Sequence, residues 1–424
     1  MPSAMKSGIN SSRRRNVACH DTLIYINIIE TRNMAKSTYD YNRRRRKKRP
    51  NRVFEIITAV LALILICCAY AGHIDPQHFF LAPFMSLAFM PLLVLLLLIV
   101  VIALLLRRWI AVFTVVLAML MTLPIITTFI PMNTAENAPP MPADPHETLK
   151  VMTFNALAFN YNDVRHGEKP SESMRMVLNS GADVVLLQEG CTDVNWEEMP
   201  TVVPFLSEIK KKYPYCAEGD EGLCIMSKFP FTTIALGEPQ ETHSPLGYNR
   251  KLISHLARVY DLQLPSGKQL RLVNFRLQSY HLSFGKSLNV RVSPDVKPSA
   301  LERMKRSFAL RGDNARQLRE CIDDSPKNVI VCGDMNDIPA SHVYRVIRGE
   351  DLNDSWCDVG RGYAYTYNGH GLCYRIDHIL YRGDLKALTA TRLTGGSSDH
   401  YPIMVTFDIG INEKNNQQSS NTNN

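Results

Sequence analysis

The chain has 424 residues, enough for one large catalytic domain and additional segments. Its formal net charge of +8 is unevenly distributed, because residues 1–135 carry 16 basic and 5 acidic side chains and the remaining residues carry 32 and 35. That remainder has a balance of −3 and lacks the overall positive charge expected of an avid nucleic-acid binder. No Cys/His spacing typical of zinc ligands occurs, which argues against a structural zinc site.

The N-terminal region is basic and unlike the rest of the chain. Residues 1–33 show no periodicity, whereas Met34 opens the sequence MAKSTYDYNRRRRKKR, a natural start for a membrane protein. We interpret residues 1–33 as an extension of the gene model and residues 1–52 as a basic cytoplasmic segment. The run RRRRKKR could mark nucleic-acid binding, but its position before an apolar run favours anchoring at an anionic membrane face.

Three runs without a charged side chain follow, at Ile56–Ala71, Phe79–Leu106 and Ile110–Ile130. A transmembrane helix needs about 20 predominantly apolar residues, so residues 53–130 are predicted to form three transmembrane helices. A buried core helix is the alternative, chiefly for the first run.

Basic residues indicate the orientation of these helices. They precede the first run and recur at Arg107 and Arg108, whereas the loop between the first two runs has no Lys or Arg. The positive-inside bias therefore predicts an integral membrane protein with a cytoplasmic N-terminus. Everything after the third span is then extracytoplasmic, and periplasmic if the organism is bacterial.

The rest of the chain divides into three parts. Residues 131–148 include five prolines and are predicted to form an extended linker. In residues 149–411 short β-like runs alternate with helical stretches, which predicts an α/β domain. Residues 412–424 are polar and of low complexity, and we expect them to be disordered.

Polar side chains follow several of the predicted strands. The stretch NVIVCGDMNDIP predicts a buried strand with Asp334 and Asn336 at its carboxyl end. An ordinary turn would use the same residues, but open α/β sheets usually place their chemistry at the carboxyl ends of strands. LKVMTFNALAF places Asn155 in the same way, and ADVVLLQEG places Glu189. A buried carboxylate needs a salt bridge or a bound cation.

Two later stretches supply further candidates. CYRIDHILY places Asp377 in an apolar strand, and SSDHYPIMVTF places Asp399 and His400 just before the last strand. The whole ordered series resembles the endonuclease/exonuclease/phosphatase superfamily, the deoxyribonuclease I-like group. The motifs TFN, LLQE, GDMND, RIDHIL and SDHYP stand in the family's order over about 260 residues, Leu149–Asp408.

The resemblance implies a four-layer α/β sandwich, here preceded by the transmembrane helices, with the site at one edge of two central sheets. It also implies a phosphoric ester hydrolase that depends on Mg²⁺, or on Mn²⁺ in its place. Glu189 would be the metal ligand, with Asn155 and Asp399 helping to hold the metal and the phosphate.

The resemblance also implies catalytic roles. Asp334 would orient or deprotonate the attacking water, and Asn336 would donate to the phosphoryl oxygens as charge develops. His400 would contact the phosphate, with Asp399 fixing its tautomer and orientation. Asp377 would orient this network or ligate the metal.

One position departs from the family's pattern. Many members have Asn-x-His-Leu in the strand that reads LVNFRLQS here, and Arg276 stands in place of that histidine. Arginine cannot act as a general acid or base near neutral pH, but it can bind phosphate through a bidentate fork. His281 is a candidate to supply an imidazole. The alternative is that Arg276 is a structural strand residue paired to a carboxylate away from the cleft.

Function remains open at the level of the substrate, which could be a lipid, a nucleotide or a nucleic acid. The leading hypothesis is a membrane-anchored phosphoesterase that cleaves a phosphodiester or phosphomonoester outside the cytoplasm, without an obligate protein partner. One alternative is a nuclease that uses local basic side chains within residues 286–319. The other is a phosphate-binding pseudoenzyme, indicated only by Arg276.

Overall fold

The structure, a computed structural model, describes residues 30–34, 36, 52–134, 139–142, 144, 147–161, 169–219, 222–236, 253–279, 299–369 and 373–410. The relationships reported below lie within the compact unit Val60–Asn424. The basic run at 43–49, His281 and the tail at 412–424 fall outside the described residues.

Helices and strands alternate after the apolar region, as expected for an α/β domain. The helices are α1 (Val53–Tyr70), α2 (Ala82–Leu105), α3 (Trp109–Met121), α4 (Leu123–Phe129), α5 (Glu172–Asn179), α6 (Leu206–Lys212), α7 (Ile253–Leu256), α8 (Ala300–Asp323), α9 (His342–Arg348) and α10 (Ser355–Val359). The strands are β1 (Thr148–Asn155), β2 (Val184–Gln188), β3 (Tyr215–Ala217), β4 (Cys224–Ser227), β5 (Phe231–Ile234), β6 (Ala257–Gln263), β7 (Gln269–Arg276), β8 (Val329–Asp334), β9 (Asn353–Asp354), β10 (Asp377–Arg382), β11 (Lys386–Arg392) and β12 (Ile403–Asp408).

The strands form two six-stranded sheets. The first has the order β11-β12-β1-β2-β4-β3 and the second β5-β6-β7-β8-β10-β9. In each sheet one central pair is parallel, β1 with β2 and β7 with β8. Parallel neighbours need a crossover connection, and α5 and α8 lie in the two crossovers. The carboxyl ends of β1 and β2, and those of β7 and β8, therefore lie at one edge of each sheet.

The two sheets pack face to face, and helices cover their outer faces. Leu186 of the first sheet and Ile330 of the second belong to one buried cluster between the sheets. Val177 of α5 packs in a second cluster on the first sheet. Leu318 of α8 and Val343 of α9 pack in a third cluster on the second sheet. Burying one such side chain contributes about 1.5–3 kcal/mol, so these layers hold the sheet edges in a fixed relation.

Local sequence signals set where α8 begins. The Ser299 hydroxyl accepts from the Glu302 backbone N–H, and the Glu302 carboxylate accepts from the Ser299 backbone N–H. This capping box satisfies two N–H groups that would otherwise lack intrahelical partners. The helix then runs for 24 residues and leads directly into β8.

Two apolar helices are long enough to cross a membrane, Val53–His73 with its terminal 3-10 turn and Ala82–Leu105. They correspond to the first two predicted spans. Outward-facing apolar side chains remain exposed along them, including Leu63 and Leu98. Large exposed apolar surfaces are unusual in soluble monomers, so association of these helices with a membrane is consistent with their surface.

The third apolar run is not one straight helix. It forms α3 and α4, which are bent by 69° relative to each other. Pro124 lies in the first turn of α4 and lacks the N–H that would continue the ladder of α3. The run counts as a third span only if this bent pair is taken as one. The third transmembrane helix expected over Ile110–Ile130 is therefore two shorter helices that meet at a bend.

Candidate active site

Strand register places three of the predicted site residues abreast in the second sheet. Asp334, at the end of β8, lies opposite Arg276 of β7 and opposite Asp377 of β10. The close approach of β7 and β8 depends on Gly333, because a Cβ there would meet the Phe275 carbonyl oxygen at 2.0 Å. The second sheet thus presents two carboxylates and a guanidinium in one row.

The first sheet supplies the opposing side of the site. Asn155 ends β1 and lies next to Gln188 of β2, and Glu189 follows directly. The Asn155 side-chain amide donates to Glu189 Oε1 and to Asp334 Oδ2, both at 3.1 Å. Because Asp334 belongs to the other sheet, this amide joins the two sheets at the predicted site. Glu189 has a positive φ of 48°, which turns the chain sharply as it leaves β2.

Asn336 holds the carboxylate of Asp334 in place. Its backbone N–H donates to Asp334 Oδ1 at 2.8 Å, and its side-chain amide donates to Asp334 Oδ2 and to the Leu277 carbonyl, both at 3.0 Å. Both amide hydrogens are thereby engaged. For Asn336 to donate to a phosphoryl oxygen, as predicted, its side-chain amide would have to give up one of these two hydrogen bonds.

Asp334 lies in an environment that opposes its charged form. It is 1% exposed, and burial followed by the neighbouring Asp377 charge raises the pKa of Asp334 to about 6. A carboxylate with a pKa near the working pH is suited to accept a proton.

The partner of His400 corrects one expectation. His400 Nδ1 lies 2.8 Å from Asp377 Oδ2, so Asp377, and not Asp399, orients the ring. The backbone carbonyl of Asp399 accepts from the Asn368 backbone N–H at 2.8 Å. Burial disfavours the charged imidazole, but the charge and hydrogen bond of Asp377 outweigh it and raise the pKa of His400 to about 9.

Comparison with known proteins identifies the domain that carries this site. A sequence model described as the Endonuclease/Exonuclease/phosphatase family matches residues 152–400. The chain belongs to the endonuclease/exonuclease/phosphatase family. A second model, for a domain of unknown function, matches residues 51–129, and no curated protein matches the chain.

Solved structures of low sequence identity resemble about three fifths of the chain. The human Nocturnin catalytic domain with bound sulfate is 20% identical, with a TM-score of 0.41, over 62% of this chain and 93% of that one. A mannosyl-6-phosphatase from Bacteroides thetaiotaomicron is 16% identical, with a TM-score of 0.40, over 61% and 99%. An endonuclease/exonuclease/phosphatase protein from Bacteroides vulgatus is 16% identical, with a TM-score of 0.41, over 61% and 98%.

Arg276 points into the site of this family member. Its Nη2 atom lies 2.6 Å from Glu189 Oε1, and the two side chains are 28% and 27% exposed. The hypothesis of an ion pair away from the cleft is therefore wrong, because the partner carboxylate is the predicted metal ligand. Arg276 Nε is buried and has no hydrogen-bond partner among the described residues.

The donor set of this endonuclease/exonuclease/phosphatase domain fits a divalent cation. Ligand atoms of Asp334, Asp377 and His400 all lie within 4.8 Å of one another. A protonated imidazole has no lone pair to offer, so the oxygen atoms suit a cation better than His400 does. Asp377 Oδ1 is buried without a hydrogen-bond partner in the described part of the chain. Hard cations such as Mg²⁺ prefer such oxygens.

Two contributing residues escaped the sequence analysis. The Ser398 hydroxyl donates to the Asn155 carbonyl at 2.8 Å and accepts from His400 N–H at 3.0 Å, so it ties the segment before β12 to the end of β1 within the first sheet. The ring of Tyr367 packs edge-on against His400, with centroids 5.1 Å apart. Ser398 stands in the SDHYP region and could have been suspected from that position. Tyr367 carried no local signal.

Proposed function

We propose that the protein is a membrane-anchored phosphoric ester hydrolase that depends on a divalent cation, Mg²⁺ or Mn²⁺. The observation that supports this most directly is the convergence of Asn155, Glu189, Asp334, Asp377 and His400 at one edge of the two sheets. Family membership restricts the chemistry to phosphate esters. The charge balance of −3 after residue 135 makes a nucleic-acid substrate the less favoured alternative.

In this proposal Glu189, Asn155 and Asp399 would hold the cation, next to the buried carboxylate oxygens of Asp334 and Asp377. When bound, the cation would supply charge neutralisation at the phosphate and at the leaving oxygen. Asp334 takes a proton from the attacking water, and Asn336 keeps its carboxylate oriented for that task. Hydrolysis forms one P–O bond from water, breaks the P–O bond to the leaving alcohol and leaves a proton on that alcohol.

The basic side chains bind the phosphate in this scheme. His400, held by Asp377 and protonated at neutral pH, contacts one phosphoryl oxygen. Arg276 contacts another when it leaves Glu189, since a guanidinium presents donors that match phosphate geometry. Arg276 takes the place of the imidazole that the family's pattern expects at position 276, and His400 keeps the role that the pattern gives it.

The membrane part of the proposal concerns placement. The three apolar runs span an inner or plasma membrane with the N-terminus in the cytoplasm, so the catalytic domain is extracytoplasmic. The two long apolar helices and the basic residues at Arg107 and Arg108 support this arrangement.

The test is a hydrolysis screen with the purified full-length protein and Mg²⁺, comparing DNA, RNA, phospholipids, phosphoinositides and small phosphodiesters. We expect cation-dependent hydrolysis of at least one ester. We expect Glu189→Gln to reduce it by at least about a hundredfold without changing the melting temperature, since even outer residues of a metal site cost about 10- to 100-fold. Hydrolysis by Glu189→Gln at the parental rate and cation dependence would remove Glu189 from the metal site.

A further inference from the structure

The loop between the two long apolar helices contacts the catalytic domain. This anchor loop, Ala71–Leu81, places Asp75 beside Arg316 of α8, with Nη1 and Oδ2 2.5 Å apart. Gln77 Nε2 donates to Asp313 of the same helix at 2.7 Å. His342 Nδ1, at the start of α9, lies 3.2 Å from the Gly72 carbonyl oxygen. The loop is therefore bound to the domain through side chains of α8 and α9.

The fit at Gly72 is tight. A Cβ at this position would meet the Ala340 carbonyl oxygen at 2.3 Å and the Ser341 carbonyl carbon at 2.9 Å. Both residues belong to the short segment that follows Asp337, the last acidic residue of GDMND. The backbone of the anchor loop thus touches the backbone of a segment that begins at the active site.

A second line of contacts runs from α2 to the same segment. Phe84 of α2 packs edge-on against Phe308 of α8, with ring centroids 5.1 Å apart. Arg311, one turn later, lies over the Phe308 ring, and its Nε is 3.6 Å from Asp337 Oδ2. Ile338 lies in one continuous apolar cluster with side chains of the apolar helices. The apolar helices therefore pack against a residue only four positions after Asp334, the last residue of β8.

The other side of the site is joined to the same helices. Ile376, directly before Asp377, belongs to the apolar cluster of the helices, and Tyr367 packs against that cluster while its ring contacts His400. Arg375 is fully buried and donates to the Thr128 carbonyl of α4 at 2.8 Å. The segments that follow Asp334 and precede Asp377 therefore both pack against the apolar helices.

The surface around this junction suits a bilayer interface. Ile74, Phe79 and Leu81 of the anchor loop are each more than 40% exposed, and Leu301 at the start of α8 is 55% exposed. Lys305 extends over the ring of Phe80, with Nζ 5.2 Å from its centroid. Apolar and aromatic side chains beside a basic group are typical of the region where a protein meets lipid headgroups.

We propose that the substrate of this site is an amphiphilic phosphate ester, a lipid whose headgroup lies at the surface of the bilayer that holds α1 and α2. This inference rests on the proposed function. The anchor loop and α2 keep the edge of the sheets within reach of headgroups. A soluble ester would have no need of direct contacts between apolar helices and the two site segments. Water cleaves the headgroup phosphate ester, and the leaving alcohol takes up the proton.

The experiment uses the full-length protein in mixed detergent micelles with Mg²⁺. Phosphatidic acid serves as the monoester probe and phosphatidylglycerol as the diester probe, each at several surface mole fractions and constant bulk concentration. Glycerol phosphate and bis(p-nitrophenyl) phosphate are the soluble counterparts. We expect the hydrolysis rate of one lipid to rise with its surface mole fraction. We expect kcat/KM for the matching soluble ester to be lower than kcat/KM for that lipid by about tenfold or more, because the soluble ester lacks the remote contacts that position the lipid.

Two glycine variants at the junction test the role of the anchor loop. Gly72→Ala forces the loop away from the Ala340–Ser341 backbone, whereas Gly312→Ala on α8 adds a methyl that meets no atom closer than 3.9 Å. We expect Gly72→Ala to lower lipid hydrolysis by about tenfold, because a displacement of about 1 Å can cost up to about a hundredfold. Hydrolysis of the soluble ester should change less than about twofold. Gly312→Ala should leave both rates unchanged.

The outcomes separate this inference from the proposed function. Hydrolysis of nucleic acid or soluble esters without hydrolysis of either lipid would overturn the inference while the proposed function stands. An equal loss on lipid and soluble ester in Gly72→Ala would also count against it, since the loop would then support the site rather than present the substrate. No hydrolysis of any ester would overturn both.

Discussion

Arg276 Nη2 lies 2.6 Å from Glu189 Oε1, so the residue that replaces the family's usual histidine neutralises the predicted metal ligand. The Asn155 amide donates to the same oxygen at 3.1 Å. A cation that binds Glu189 must therefore compete with two donors. The guanidinium released in that exchange would lie beside the position expected for the phosphate.

This ion pair predicts opposite effects on metal and substrate. Arg276→Ala should tighten Mn²⁺ binding in the absence of substrate, because Glu189 loses its competing cation. It should also lower kcat/KM by roughly 10- to 150-fold, since a charge-assisted hydrogen bond contributes about 1.5–3 kcal/mol. Calorimetric titration with Mn²⁺ and steady-state kinetics measure the two effects.

Arg276→His is the matched control for that substitution. It should recover part of the lost kcat/KM, because an imidazolium can contact the same phosphoryl oxygen. Kinetics unchanged in Arg276→Ala would remove the arginine from substrate binding, and unchanged Mn²⁺ affinity would show that the pair with Glu189 does not limit cation binding.

The partner of His400 can be tested with two conservative variants. Asp377→Asn removes the carboxylate that lies 2.8 Å from the ring, so the pKa of His400 should fall from its raised value. We expect kcat to fall by about 10²- to 10⁴-fold, the range for a misplaced proton-transfer or charge-stabilising group. NMR titration of the imidazole reports the pKa directly.

Asp399→Asn supplies the comparison. Its carboxyl is not the hydrogen-bond partner of His400, so the imidazole pKa should move less than in Asp377→Asn. A larger fall in Asp399→Asn would restore the role that the sequence motif SDHYP first indicated for Asp399.

A buried charge pair beside the site predicts acid-sensitive stability. Arg375 Nη1 lies 2.8 Å from Asp354 Oδ2, and both side chains are almost fully buried. Burial opposes the charged form of Asp354, but the Arg375 charge and the nearby His378 imidazole, 3.6 Å away, hold the pKa of Asp354 far below its usual range. Burial, followed by the Arg375 charge, lowers the pKa of His378.

The lowered pKa values of Asp354 and His378 both make the folded state less stable as pH falls. His378 and Asp354 have lower pKa values in the folded state, so the stability they contribute is present above their unfolded values of about 6.5 and 3.9 and is lost as pH falls. The melting temperature should therefore decrease from pH 7 to pH 3. Asp354→Asn should cost about 3–5 kcal/mol at neutral pH because it leaves Arg375 buried without its counter-ion.

The pH profile of that variant provides the control. Asp354→Asn should show a shallower loss of stability between pH 5 and pH 3 than the parent. Parallel melting curves across this range would mean that other carboxylates account for the acid sensitivity.

Topology can be tested with reporter fusions. A reporter enzyme that works only outside the cytoplasm should be active when it is fused after Asn412. The basic residues predict a cytoplasmic N-terminus, and three spans then place residue 412 on the other side of the membrane. A fusion at Arg108 should behave in the opposite way. Cytoplasmic activity of the fusion after Asn412 would contradict the orientation.

The sequence by itself determined the candidates for chemistry. Buried strands that end in Asn155, Glu189 and Asp334 conflict with ordinary core composition, because unpaired buried polar groups are costly. Their order along the chain identified the family, and uncharged runs of about 20 residues identified the two long apolar helices. Such signals lie within short stretches of sequence, so they can be recognised without knowledge of the fold.

Only the tertiary structure decided which of these side chains meet. The antiparallel register of β8 and β10 brings Asp377 level with Asp334 and turns it toward His400, whose orienting partner the family resemblance had implied to be Asp399. The meeting of the two sheets pairs Arg276 with Glu189. Register and side-chain direction depend on contacts between residues far apart in the chain, and the spacing of motifs carries no information about them.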